Sequence, residues 1–120
     1  FEVSASVPDS VEVGEEFALV VTVLNVETET AVLGSVDVYD SLLDGFEVVS
    51  VDPEPLSVDF YPGFRAFFFR EALPADGTTD VTFRLRAVEP GAWWGDVDAC
   101  TPAEVFATTS VSIRVDGTSR

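Results

Sequence analysis

Carboxylates are almost the only side chains in this sequence that could carry out acid–base chemistry. Its 120 residues include 22 Asp and Glu, 6 Arg and a single cysteine, Cys100, but neither His nor Lys. Ser–His and Cys–His pairs and imidazole metal ligands are therefore excluded. Two carboxylates can hydrolyse a glycosidic bond, but so many acidic residues bring some pair to a suitable distance by chance. We predict no catalytic activity, with a carboxylate-based hydrolase as a remote alternative.

Asp37, Asp40 and Asp44 are the best candidates for a metal site. They fall at the end of one predicted strand and in the turn after it, where a loop can bring oxygen ligands together. Hard cations such as Ca²⁺ bind through several oxygens. The spacing differs from that of an EF-hand loop. We expect no cofactor, with calcium at these three carboxylates as the alternative.

Two Arg and two Asp residues are spaced as cross-strand ion pairs. Arg84 and Arg86 lie two apart on one predicted strand, and Asp96 and Asp98 lie two apart on the next. If these strands form a hairpin, Arg86 lies opposite Asp96 and Arg84 opposite Asp98. Each such pair contributes a few tenths of a kcal/mol, which explains the four residues without a ligand.

Aromatic residues are concentrated between positions 60 and 70, which read FYPGFRAFFFR. A strand turns only alternate side chains inward, so Phe67 and Phe69 are predicted to point into the core and Phe68 outward. By the same rule one of Trp93 and Trp94 lies outside, and we predict that it is Trp94. The residues predicted to form an exposed contact surface are Phe60, Tyr61, Phe64, Phe68 and Trp94.

These exposed rings have three possible explanations. Monomers rarely leave large apolar patches uncovered, so a neighbouring domain or another copy of the chain is expected to contact them. Alternatively, a loop over residues 52–63 folds across the sheet and covers them. The third alternative is carbohydrate stacking on an exposed Trp or Tyr.

The elements that carry these residues follow a period of two almost throughout, which is typical of strands. Pro and Gly turns separate them. The predicted strands are residues 1–7, 17–24, 31–39, 46–51, 64–70, 81–88, 93–100 and 110–115. This pattern predicts an all-β, immunoglobulin-like two-sheet β-sandwich of seven to eight strands, with a barrel as the main alternative.

Length and composition limit the number of domains and the classes of partner that the chain can bind. With 120 residues, of which 47% are hydrophobic, residues 1–120 are predicted to form one folded domain. The net charge of −16 repels nucleic acid and anionic membranes. No apolar run approaches the roughly 20 residues of a spanning helix, so membrane insertion is not expected. An acidic, Lys-free surface suits a salt-rich habitat or a cation-rich cell surface.

The segment from Val13 to Val51, VGEEFALVVTVLNVETETAVLGSVDVYDSLLDGFEVVSV, resembles two families of immunoglobulin-like bacterial and archaeal surface repeats. They are domain of unknown function eleven and the cell-adhesion-related domain found in bacteria. The matching residues are Gly14, Val21, Thr22, Val23, Asn25, Val36, Val38, Asp40, Leu42, Gly45 and Phe46. Leu43 stands where the family has Pro. Leu73-Pro74, Val81-Thr82-Phe83 and Pro90-Gly91 resemble its later strand and turn.

The resemblance implies a module of a long extracellular or cell-surface protein, a spacer, adhesin segment or assembly unit without catalytic residues. We therefore expect a structural and interaction module of a surface or filament protein, with neighbouring immunoglobulin-like domains or other copies of itself as partners. Because Pro8 follows it, the strand Phe1 to Val7 is a candidate for exchange into a neighbour's sheet. A carbohydrate-binding module is the alternative function.

Overall fold

A computed structural model describes residues 1–103 and 105–117, and it contains two β-sheets packed face to face. The strands are β1 (Glu2–Ser6), β2 (Ser10–Glu12), β3 (Glu16–Leu24), β4 (Ala31–Tyr39), β5 (Phe46–Asp52), β6 (Ser57–Tyr61), β7 (Phe64–Leu73), β8 (Thr78–Ala87), β9 (Gly91–Cys100) and β10 (Phe106–Asp116). A single turn of helix, α1 (Asp40–Leu43), follows β4. Within the described ranges no helix is long and apolar enough to cross a membrane.

One sheet has four strands in the order β1-β3-β8-β5, and the other has six in the order β2-β10-β9-β4-β7-β6. Neighbouring strands are antiparallel except β2, which runs parallel to β10. The prediction of an immunoglobulin-like two-sheet β-sandwich is confirmed. All eight predicted strands are present, and the two additional ones are the short strands β2 and β6.

The core lies between the sheets and is built from alternate residues of each strand. In β3 the side chains of Phe17, Leu19, Val21 and Val23 are buried, and the residues between them are half-buried. Phe67 of the six-stranded sheet meets Phe83 of the four-stranded sheet edge to face, with ring centroids 4.9 Å apart, a favourable aromatic geometry. The apolar residues that alternate along the strands thus form one buried layer between the sheets.

The predicted hairpin of Arg84 and Arg86 with Asp96 and Asp98 is wrong. β8 pairs with β3 and β5 in one sheet, while β9 pairs with β10 and β4 in the other. The turn after β8 carries the chain from one sheet to the other, so consecutive strands do not pair here. The expected cross-strand ion pairs therefore do not form.

The two Arg residues pair instead with Glu residues on the outer face of the four-stranded sheet. Arg84 Nε lies 2.9 Å from Glu16, and Arg86 bridges Glu16 and Glu47 at 2.6 Å each. Hydrogen bonds to Arg84 and then Arg86 lower the pKa of Glu16. This solvent-exposed network explains the charges of that face.

Asn25, from the family-like VTVxN motif, is fully buried at the end of β3. Its Nδ2 donates to the carbonyl oxygens of Glu29 and Leu73, both at 2.9 Å, and its Oδ1 accepts from the amide of Glu27 at 3.0 Å. One side chain thus ties the loop after β3 to β7. Its role is structural, because a buried amide with several partners fixes backbone.

Glu2 pairs with Leu24 at the end of β3, whereas Asp116 pairs with Glu12 shortly before β3 begins. Glu2 and Asp116 therefore lie toward opposite ends of an elongated molecule of 54 × 26 × 20 Å. β1 pairs with β3 through Glu2 to Ser6, and its apolar side chains pack on the core. The first strand therefore lies in its own sheet in the isolated chain. Its exchange into a neighbour stays a prediction.

Candidate interaction surface

Strand register places three rings in a row on the outer face of the six-stranded sheet. Tyr61 of β6 lies opposite Phe64 of β7, which lies opposite Tyr39 of β4. The Tyr61 and Phe64 rings stack with centroids 5.0 Å apart, and Phe64 and Tyr39 are 5.8 Å apart. The three rings stand side by side with their faces turned toward each other. Both faces of the Phe64 ring are therefore covered.

A row of carboxylates runs across the same face beside these rings. The register from β6 to β9 is Asp59, Ala66, Asp37 and Asp98. Tyr61 Oη donates to Asp59 at 3.4 Å, and Tyr39 Oη donates to Asp98 at 3.2 Å. The hydroxyl groups of Tyr61 and Tyr39 thus connect the row of rings to this acidic row.

The acidic row continues onto β10 through hydroxyl groups. Thr108 Oγ1 donates to Asp98 at 2.7 Å, and Ser110 Oγ donates to Asp96 at 2.8 Å. These are the partners that Asp96 and Asp98 have in place of the predicted Arg residues. The outer face of the six-stranded sheet is consequently rich in carboxylates and hydroxyl groups along this row, while Arg84 and Arg86 lie on the outer face of the other sheet.

The centre of the acidic row holds groups with raised pKa values. Burial, followed by repulsion from Asp98, raises the pKa of Asp37, and Asp37 Oδ1 is buried without a hydrogen-bond partner in the described part of the chain. Repulsion from Asp98 raises the pKa of Tyr39, and burial raises that of Cys100. The Cys100 thiol faces Asp37 Oδ2 at 3.8 Å. The raised pKa favours the protonated thiol, which is the form that donates to Asp37.

The five predicted contact residues divide between two surfaces. Register places Tyr61, Phe64, Phe68 and Trp94 on the outer face of the six-stranded sheet, whereas Phe60 projects from the other side of β6. Phe67 and Phe69 are buried, as the alternation predicts. The segment FYPGFRAFFFR thus sends two rings into the core and distributes the others over the outer face and the sheet edge.

The alternative explanation of the exposed rings, a covering loop over residues 52–63, is wrong. That segment contains β6, an edge strand whose five residues are all exposed. It extends the sheet sideways instead of folding across it, because Ser57 to Tyr61 pair with β7. Phe60 remains 73% exposed, with the Arg65 guanidinium 5.0 Å from its ring centroid.

The adjacent Trp residues have opposite environments, as expected for neighbours on a strand. Trp93 packs on the core and its Nε1 donates to the Glu89 carbonyl oxygen at 3.1 Å. Trp94 is 66% exposed and lies opposite Ser112. It borders a shallow depression of about 280 Å³, whose polar lining residues include Asp9, Ser112 and Arg114.

The three proposed calcium ligands are not brought together. Asp37 lies in the sheet beside Asp98, whereas Asp40 begins α1 and Asp44 ends it, with the Asp44 amide donating to the Asp40 carbonyl oxygen at 2.8 Å. Across residues 1–103 and 105–117, no three His, Cys, Asp or Glu side chains form a group able to hold a metal ion. The geometry gives no support to calcium at this position.

A second feature, missed by the sequence reasoning, is a groove of about 600 Å³ at the Phe1 end of the sandwich. Its lining includes Ala31, Val32, Pro102 and Val105. Val105 is followed in the sequence by the exposed Phe106. This apolar pair lies outside the regular alternation of the predicted strands and is the kind of sequence signal that could have indicated the groove. Strand periodicity gives no information on loops that meet in space.

Comparison with known proteins identifies the architecture. No protein-family model matches the chain, and no curated protein matches its sequence. Among solved structures, it is similar to a cohesin module from a family 33 glycoside hydrolase of Clostridium perfringens, with 13% identity, a TM-score of 0.63, and coverage of 98% of this chain and 97% of that one. The structural similarity therefore extends over nearly the whole of this chain and of the cohesin module.

Two longer proteins contain a similar unit. Red sea bream transglutaminase gives a TM-score of 0.63 at 16% identity, and the sporulation control protein Spo0M of Bacillus subtilis gives 0.61 at 13%. Each match covers 98% of this chain, but only 15% of the transglutaminase and 49% of Spo0M. Identities this low show a shared β-sandwich fold and nothing about ligands or activity.

Proposed function

We propose that this chain is a non-catalytic structural and interaction module of an extracellular surface or filament protein. In this role it contacts neighbouring immunoglobulin-like domains or other copies of itself. The observation that carries the proposal is the placement of exposed rings, above all Phe60 and Trp94, on a rigid sheet. Aromatic side chains held in this way are favoured at the buried centres of protein interfaces.

The shape of the molecule supports the same role. Glu2 and Asp116 lie toward opposite ends of a body 54 Å long, so domains joined end to end would form an extended stalk. Its acidic exterior keeps unspecific association low. The resemblance to bacterial and archaeal surface repeats supports an extracellular location and a tandem arrangement.

A carbohydrate-binding module is the second candidate, and Trp94 is the observation in its favour. An exposed indole beside Ser112 and Arg114 offers a stacking face and hydrogen-bonding groups. The rings of Tyr61, Phe64 and Tyr39 do not extend this site into a platform, since they stack on one another. We therefore rank sugar binding below protein contact, and a carboxylate-based hydrolase far below both.

Hydroxyl-radical footprinting tests the proposal directly. The oxidation rates of Phe60 and Trp94 are measured in the isolated chain and in native material on the producing cells, with the exposed Val26 as an internal reference. We expect both rings to be protected at least about fivefold in the native material while Val26 is unchanged. Equal rates in the two samples would contradict the proposal.

A glycan array separates the two candidate functions. Protein contact predicts no saturable glycan binding by the isolated chain. Binding that is lost in Trp94→Ala but kept in Phe60→Ala would establish the carbohydrate-binding alternative instead.

A further inference from the structure

β6 forms a free edge of the six-stranded sheet. It is the last strand in the sheet order and pairs only with β7, and all five of its residues are exposed. In an edge strand, alternate residues direct their N–H and C=O groups away from the sheet, where an added strand can pair with them. The edge therefore offers unused main-chain hydrogen bonds.

One side of this edge is apolar and uncovered. Leu56, Val58 and Phe60 alternate along the chain on the side that faces the four-stranded sheet, and they are 68%, 36% and 73% exposed. The four-stranded sheet ends at β5 and has no strand to cover them. A polypeptide lying along β6 would contact this row with its alternate side chains.

The other side of the edge is acidic. Asp59 projects there, and the register continues inward through Ala66 to Asp37. Strands lie about 4.8 Å apart, so Asp37 is about 10 Å from Asp59, near the screening length of about 8 Å at physiological salt. The Arg65 guanidinium lies over the Phe60 ring and so belongs to the apolar side.

We infer that the free edge of β6 accepts an extended segment of a partner protein whose alternate residues are apolar and basic. The segment adds as a seventh strand, placing its apolar side chains against Val58 and Phe60 and its Lys or Arg side chains beside Asp59. This inference deepens the proposed interaction role and rests on it. A second copy of this chain is the less favourable occupant, because both molecules carry a net charge of −16.

Synthetic heptapeptides test each part of the inference by fluorescence anisotropy. A peptide of alternating Val and Lys is compared with one of alternating Val and Glu, and with the Val/Lys peptide N-methylated at every second amide. The N-methylated peptides are made in both phases, because only one phase removes the donors that face β6. We expect the Val/Lys peptide to bind at least tenfold more tightly than the Val/Glu peptide and than one N-methylated form.

Charge and ring variants tie the binding to β6. Asp59→Lys should reverse the preference in favour of the Val/Glu peptide. Glu27→Lys makes an equal charge change in an exposed loop at the end of the sandwich away from β6, and it should leave the preference in place. Phe60→Ser should weaken Val/Lys binding at least fivefold. Phe106→Ser, which removes a ring of 64% exposure on β10, should not.

Three results would overturn the inference. Equal binding of both N-methylated peptides and the parent would show attraction without strand pairing. An unchanged preference in Asp59→Lys would place the peptide elsewhere. A dimer of the chain alone that dissociates in Phe60→Ser would show that a second copy occupies the edge. These peptide results are independent of the footprinting of native material, so failure of one proposal is distinguishable from failure of the other.

Discussion

Asp37 and Asp98 lie directly opposite each other on the neighbouring antiparallel strands β4 and β9. Like charges opposed across a sheet are unfavourable, and burial adds to the cost at Asp37, so its pKa is raised. A folded-state pKa above the unfolded value means that the folded chain holds this proton more tightly. Ionisation of Asp37 as the pH rises through its folded-state pKa therefore lowers stability.

Asp37→Asn should consequently raise the melting temperature at pH 7. The gain should shrink as the pH falls through the raised pKa toward the unfolded value near 3.8, because Asp37 is then protonated in the original chain too. Calorimetry across this range measures it, with Asp59→Asn, an exposed carboxyl in the same row, as the control. A gain that is independent of pH would argue against this explanation.

Cys100 should react slowly with thiol reagents in the folded chain. Burial raises its pKa, and only the thiolate is a good nucleophile. We expect the rate with Ellman's reagent at pH 8 to be at least about tenfold lower than in the urea-unfolded chain. Comparable rates would show that the thiol is neither shielded nor held protonated.

Asn25→Ala should destabilise the fold by about 1–3 kcal/mol, because it leaves buried backbone groups without their partners. The affected groups are the carbonyl oxygens of Glu29 and Leu73 and the amide of Glu27. Urea unfolding measures the change. Thr28→Ala in the same exposed loop is the matched control and should shift stability by less than about 0.5 kcal/mol. A loss of similar size in both variants would rule out this role for Asn25.

Salt should stabilise the isolated chain. A net charge of −16 disfavours the compact state through self-repulsion, and raising the ionic strength from 0.1 M to 1 M shortens the screening length from about 10 Å to about 3 Å. We expect the melting temperature to rise over this range. Sucrose at equal osmolality is the control for stabilisation by exclusion of solute from the surface. A fall in melting temperature with NaCl would show that attractive pairs such as Arg86–Glu47 outweigh the repulsion.

The alternation of apolar residues was sufficient to predict the strands and the inward direction of Phe67 and Phe69. It was not sufficient to assign strands to sheets, because β8 and β9 have the same period and differ only in which sheet they join. Register therefore had to come from the structure, and with it the partners of Arg84 and Asp98. The sequence does not predict β6, because prolines flank this short stretch and its residues are exposed on both faces.

The surface was predictable only in part for the same reason. Strand alternation predicts that one of the neighbouring Trp93 and Trp94 is exposed, but the row of Tyr61, Phe64 and Tyr39 depends on the register between three strands. The uncovered apolar side of β6 at Phe60 depends on the unequal number of strands in the two sheets. No local sequence signal encodes that difference.

Cryo-electron microscopy of the native assembled material would locate whatever lies against the exposed rings. We expect protein density in van der Waals contact with Phe60 and Trp94 and with the free edge of β6. Separate, unassociated molecules with these rings facing solvent would contradict it.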